Sequence, residues 1–180
     1  MRRRLAGLVA IVGLTALAGC GYTTHSLISE QNKTIYVEPL KNNINITSES
    51  DANRKYRLNY PQIETDITRY ISDKFFTDGT FKPVQEKDAD LVLRGSVQEF
   101  RKDPLRYDDN DNVTEYRINL IVNISLWDNK ANKLMWTEGN FTGDYTYFVT
   151  GSQAISEETA LTNALDDLAR RVVERTTEDW

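Results

Sequence analysis

The chain has one histidine, one cysteine and no second long apolar run, and each shortage closes off a class of function. His25 is isolated in a polar stretch, so neither a Ser-His-Asp nor a Cys-His constellation has a base to draw on. A histidine-based metal site fails for the same reason, and neither common phosphate-loop spacing of glycines occurs. No pair of carboxylates stands out for glycoside chemistry. One thiol cannot close a disulfide within the chain, which leaves stability to packing. Basic residues are also short, with 22 Lys and Arg facing 27 Asp and Glu. Duplex binding requires many phosphate-neutralising side chains on one face, so the balance argues against nucleic acid as a partner. The expectation is a protein that is not an enzyme and needs no cofactor.

What the chain does have begins at its first residues. Arg2, Arg3 and Arg4 precede 14 mostly apolar residues from Leu5 to Ala18, and Gly19 and Cys20 follow. That order of charge, apolar run and small residues is a signal peptide, and the run is too short to span a bilayer. An ordinary signal peptide needs no cysteine at its cleavage site, and a chance core cysteine does not explain the order. The Cys20 thiol is therefore expected to carry diacylglycerol through a thioether, with acylation of the new amino terminus. Two or three acyl chains hold a protein stably to a membrane where one holds it only marginally. Position 21 is Gly21 and not the aspartate that retains lipoproteins at the inner membrane, which favours the outer membrane, periplasmic side. Removing residues 1–19 leaves 161 residues with 19 basic and 27 acidic side chains, a balance of −8. Residues 20–32 make the lipidated cysteine and a polar tether, whose 12 residues after Cys20 reach at most roughly 40 Å. Residues 33–180 are expected to form one domain.

Within that domain the β-branched and aromatic run Thr34 to Glu38 predicts a strand, ended by Pro39. The asparagine-rich connection 41–59 is long for a compact domain and is expected to be mobile or ordered by a partner. Pro61 opens a helix in which Ile63, Ile67, Ile71 and Phe75 recur every four residues, and Asp78-Gly79 closes it. Three strand patterns follow. Leu91 to Gln98 alternates, Arg117 to Trp127 shows the clearest period of two, and Leu134 to Phe148 contains Gly139 and Gly143 where a bulge or a close backbone approach is expected. Their connections, 103–113 and 128–132, read as hairpins. Asp108 to Asn112 offers oxygens at alternate positions, as calcium loops do. It lacks the central glycine, and Asn119 stands where the bidentate glutamate belongs, so a hairpin turn is the reading taken. A last helix starts at Gln153 or Ser156 and ends near Arg175, with Leu161, Leu165, Leu168 and Val172 along one stripe. The expected fold is α+β, a two-layer sandwich in the order β-α-β-β-β-α. A mostly antiparallel four-stranded sheet carries both helices on one face and leaves Arg94, Ser96, Gln98, Asn119, Asn123 and Ser125 on the other. Ile67, Ile71, Leu120, Val122, Leu165 and Leu168 are expected in the core.

Five segments, taken in order, are similar to a known family. They are Gly19-Cys20-Gly21-Tyr22, Ile35 to Asn42, Ala89 to Val97, Tyr116-Arg117-Ile118 and Trp127-Asp128 to Trp136, followed by the alanine-rich last helix. Together the chain resembles the lipopolysaccharide-assembly lipoproteins known as LptE. The resemblance implies a partner, the large LptD-type outer-membrane β-barrel that inserts lipopolysaccharide, with the lipoprotein plugging its lumen and assisting its assembly. It also implies contact with lipopolysaccharide, for which Arg101, Lys102 and Arg106 are the counterparts of the family's basic residues. The plainer role for these three is to neutralise Asp103, Asp108 and Asp109. A lipoprotein activator of a peptidoglycan synthase is the alternative function, sharing anchor and domain type but usually with a longer tether. A periplasmic enzyme is the weakest reading.

Overall fold

A computed structural model describes residues 34–44 and 60–178; the expected signal segment, Cys20, His25, the tether and most of the 41–59 connection lie outside them. The elements in order are β1 (Thr34–Val37), β2 (Lys41–Asn42), α1 (Ile63–Asp78), β3 (Lys82–Pro83), a 3-10 turn (Glu86–Asp88), β4 (Leu91–Tyr107), β5 (Val113–Asp128), β6 (Lys133–Phe148) and α2 (Glu157–Glu178). Among the described residues no helix is long and apolar enough to cross a membrane.

The α+β sandwich is as expected, and its sheet has two more strands than the sequence pattern showed. The order is β3-β1-β4-β5-β6, with β2 also paired to β4. The long strands β4, β5 and β6 form the antiparallel meander, while β1 and β2 run parallel to β4 and β3 runs parallel to β1. The two extra strands are only two residues each, too short to show a period, and they form because β1 and β4 offer them unpaired edges. The start of β4 is fixed by a reciprocal clasp. The Asp90 N–H donates to Thr34 Oγ1 (2.9 Å), and the Thr34 hydroxyl donates to the Asp90 carboxylate (2.7 Å). From the next turn, the Asn129 side chain donates to the Ala89 carbonyl (3.0 Å), tying that hairpin to the same point.

Helix α1 begins at Ile63, two residues later than the proline suggested, because Gln62 takes a left-handed conformation (φ 65°) that the helix cannot continue through. Gly79, at φ 78°, closes it by donating to the Phe75 carbonyl (3.1 Å), a conformation that glycine adopts without strain. At the start of α2 the Ser156 hydroxyl accepts from the Thr159 N–H (3.1 Å), and Glu157 and Glu158 fill the first turn. The apolar stripes of both helices meet the same sheet face. All six residues expected in the core are buried there, with Phe75, Phe81 and Phe100 among the largest fully enclosed side chains.

Two local features follow from the glycines of β6. Val122 pairs with Phe141 while Ile124 pairs with Glu138, so β6 carries an extra residue opposite Asn123, and the bulge sits at Gly139-Asn140, where Asn140 has φ 53°. At Gly143 the helix passes so close that an added Cβ would lie 2.3 Å from Leu168 Cβ and 2.5 Å from its Cα. Both expected devices are present, one at each glycine. The outer edge of β6 is partly blocked by α2 and the segment before it, since the Asp144 N–H donates to Asp167 (3.1 Å) and the Phe148 carbonyl accepts from the Ile155 N–H (3.1 Å).

The connection expected at 103–113 is shorter than the sequence suggested. Cross-strand pairing continues through Asp103 with Arg117 and Pro104 with Tyr116, and the turn proper is only 108–112. Polar pairs sustain the ladder where hydrophobic alternation stops. Beyond Val97 no strand among the described residues lies on the other side of β4, and a proline is tolerated on such an edge.

Candidate functional site

Strand register divides the side chains of the meander between its two faces. Rows across the strands pair Arg94 with Ser125 and Thr137, Arg101 with Asn119 and Asp144, and Asp103 with Arg117 and Thr146. These alternate with the helix-covered set, so the uncovered face is polar along these rows, as expected. One residue is set deeper than anticipated. Asn119 is 9% exposed because its amide donates to Asp103 (2.6 Å) between two long arginines.

Four arginines of this face, Arg94, Arg101, Arg106 and Arg117, have carboxylate partners. Arg94 Nε donates to Glu38 (2.9 Å), and its guanidinium lies 5.3 Å from the Trp127 ring centre. Arg117 Nε donates to the Thr146 hydroxyl (3.2 Å) and stands 3.8 Å from Asp144, which also takes Arg171 of α2 at 3.2 Å. This face has one apolar row, Val92 with Trp127 and Leu134. Sequence reading placed Arg94 on it but missed Glu38 and Trp127 as its partners. The signal for Trp127 was there, since it alternates with Ser125 and Asn123.

The three basic residues expected to act together are separated. Arg101 and Lys102 are consecutive in an extended strand and so point to opposite faces, and all three sit on β4, not in a loop. Arg101 is on the uncovered face, held by Asp103 (3.0 Å) and Glu99 (3.5 Å), and its Nε is buried with no hydrogen-bond partner among the described residues. Lys102 points to the helix side, where it pairs with Glu157 at the start of α2 and lies 4.4 Å from the Tyr116 ring centre. Burial alone would lower the Lys102 pKa, but the hydrogen bond to Glu157 and the charges of Tyr147 and Glu157 outweigh it, so the net direction is upward. Arg106 is in register with Glu115 and Phe148, on the face of Arg101. Its Nε is 3.4 Å from Glu115, its side chain is 66% exposed and its guanidinium stands 5.8 Å from the Phe148 ring centre. Each of the three has a carboxylate partner, though not the aspartates expected apart from Asp103.

The acidic tip is a turn built by its own side chains. The Asp108 carboxylate accepts from the N–H groups of Asn110 (2.9 Å) and Asn112 (2.9 Å) and from the Asn112 amide. The backbone bond to Asn112, then its side chain and the Asn110 backbone, hold the Asp108 pKa below the usual carboxylate range. Among the described residues no three His, Cys, Asp or Glu are grouped to hold a metal.

A family model for lipopolysaccharide assembly, LptE, matches residues 32–176. Solved structures share the fold. A minor lipoprotein from Acinetobacter baumannii is 19% identical over 82% of this chain and 94% of its own, with a TM-score of 0.51. Protein XCC0632 from Xanthomonas campestris is 13% identical over 80% and 83%, with a TM-score of 0.53. An uncharacterized lipoprotein B from Nitrosomonas europaea is 13% identical over 81% and 83%, with a TM-score of 0.50. No curated protein matches the chain. The identities are low, and these structures speak to the fold alone. The family match spans nearly all of the described domain, from two residues before β1 to the last turn of α2, and the chain belongs to the LptE lipopolysaccharide-assembly family.

Proposed function

We propose that this protein is anchored to the periplasmic side of the outer membrane through lipid on Cys20 and occupies the lumen of an LptD-type β-barrel, assisting its assembly and the insertion of lipopolysaccharide into the outer leaflet. The observation that carries the reading is the uncovered sheet face. Barrel lumens are polar and hydrated, and a plug must meet them without leaving charges desolvated and unpaired. Here Arg94, Arg101, Arg106 and Arg117 each already hold a carboxylate neighbour, so the face can be enclosed at small electrostatic cost. Family membership supports the same role.

Contact with lipopolysaccharide phosphate is assigned, within this proposal, to Arg106 before the other two. Guanidinium binds phosphate in a bidentate manner, and Arg106 is the most exposed of the three, with a single carboxylate partner among the described residues, at 3.4 Å. Arg101 supports it from the same face, while Lys102 is engaged at the helix. The test is extraction of the tagged full chain in mild detergent. A large heat-modifiable outer-membrane barrel should co-purify at about one to one, through an interface of order 2,000 Å² or more. Recovery of a peptidoglycan synthase without a barrel would replace this reading with the alternative one.

A further inference from the structure

We infer that the uncovered face holds a binding site for a single neutral sugar ring, in a groove where β1 and β2 meet the middle of β4 and β5. The groove has a volume of about 280 Å³, with Glu38 and Lys41 on one side, Arg94 and Ser96 on its floor, and Asn123 and Ser125 opposite. That size is at the lower end for small-molecule sites, so it takes one compact unit and not an extended chain.

The chemistry of the lining selects the ligand class by elimination. A bare anion would meet the Glu38 carboxylate, which lies 2.9 Å from Arg94 and already takes much of its charge. A cation would have one carboxylate and face Arg94 and Lys41. An apolar group would strip water from hydroxyls, amides and an ion pair with nothing to replace it. A ring of hydroxyls satisfies all of these groups together, because each hydroxyl both donates and accepts. Its donors suit Glu38 and the serine oxygens, and its acceptors suit the remaining Arg94 donors, Lys41 and the Asn123 amide. The pairing across the floor keeps these groups in place before any ligand arrives.

The site contains its own reporter. Trp127 Nε1 donates to Ser125 Oγ (3.1 Å), and the Arg94 guanidinium lies over the same indole, so two of the groove's residues touch one ring. The inference does not depend on the barrel reading and is tested without the barrel. The full chain, labelled with ¹⁵N-tryptophan and held in a detergent with no sugar headgroup, is titrated with three probes. They are core oligosaccharide freed of lipid A and phosphate, a peptidoglycan disaccharide, and inorganic phosphate. At least one saccharide should shift the Trp127 indole signal saturably, with Kd tighter than about 10 mM, and phosphate should leave it in place. Which saccharide binds identifies the source of the ring. Ser96→Leu, which fills the floor, should weaken binding by at least about tenfold, and Glu38→Gln by about fivefold, estimates of one to two lost polar contacts. No shift with either saccharide in the unaltered protein would overturn the inference, and so would an equal response to phosphate.

Discussion

Replacing Gly143 by alanine should destabilise the domain far more than an added methyl group ordinarily does. At this position α2 crosses β6 at backbone distance, and the new Cβ would sit 2.3 Å from Leu168 Cβ, 2.5 Å from its Cα and 2.7 Å from its N. Ordinary carbon contacts lie near 3.5–4.0 Å, so the helix must retreat by about 1 Å or more. A flexible side-chain tip could swing aside at little cost, but the obstructing atoms belong to the helix backbone and its first side-chain carbon. Retreat would open gaps around Leu165, Leu168 and Val172, which are buried against the sheet. Overpacking in cores costs about 1–3 kcal/mol, and a backbone obstruction belongs at the upper end, about 3 kcal/mol. For a domain of this size that is a fall in Tm of roughly 6–12 °C. Gly139→Ala is the control, because its Cβ would meet only Asn123 Oδ1 at 3.7 Å, an ordinary contact. It should be neutral or stabilising by up to about 0.5 kcal/mol through the unfolded chain. Urea melts of the two variants settle the matter. A Gly143→Ala loss below about 0.5 kcal/mol, the range of surface changes, would refute the packing of α2 on β6 as described.

Leu120→Ala and Leu165→Ala each remove a buried side chain from the sheet–helix layer and should cost about 2–5 kcal/mol by denaturant melt. Cys20→Ala should abolish incorporation of labelled palmitate and release the protein from membranes on fractionation, and label retained by the variant would overturn the anchor. Asp108 has its pKa lowered by bonds from Asn112 and Asn110, so what those bonds contribute is present above the ordinary carboxylate pKa of about 3.9 and is lost as pH falls through the lower folded value. The Asn110 and Asn112 amide signals should therefore titrate with a midpoint below the ordinary carboxylate value. Arg106→Glu should reduce lipopolysaccharide binding while the barrel still co-purifies, whereas Lys102→Glu should mainly lower the melting temperature by setting two carboxylates against each other at the start of α2.

Much of the fold was legible because hydrophobic periodicity and burial agree. The four-residue stripe of α1 and the alternation of β5 correspond to the buried residues almost one for one. The two-residue strands β2 and β3 were not legible, since pairing and not sequence creates them. The end of β4 was misjudged for a different reason: from Asp103 to Tyr107 the side chains are polar or exposed on both faces, so no alternation marks a strand that backbone pairing nevertheless sustains. The glycines of β6 were readable as irregularities, but which one bulges and which one admits the helix depends on the position of α2. Of the site, the polar face was legible from alternation. The grouping of Arg101, Lys102 and Arg106 was not, because adjacency in sequence within a strand means opposition in space.

The central claim, that the uncovered sheet face lies against the wall of a barrel, is tested most directly by site-specific photo-crosslinking in living cells. A photoreactive residue at Arg117 or Thr142, both in rows of that face, should give adducts with a large outer-membrane β-barrel. The same residue at Ala154, in the exposed segment before α2, should give fewer. Adducts with a peptidoglycan synthase, or none from the sheet positions, would contradict the account.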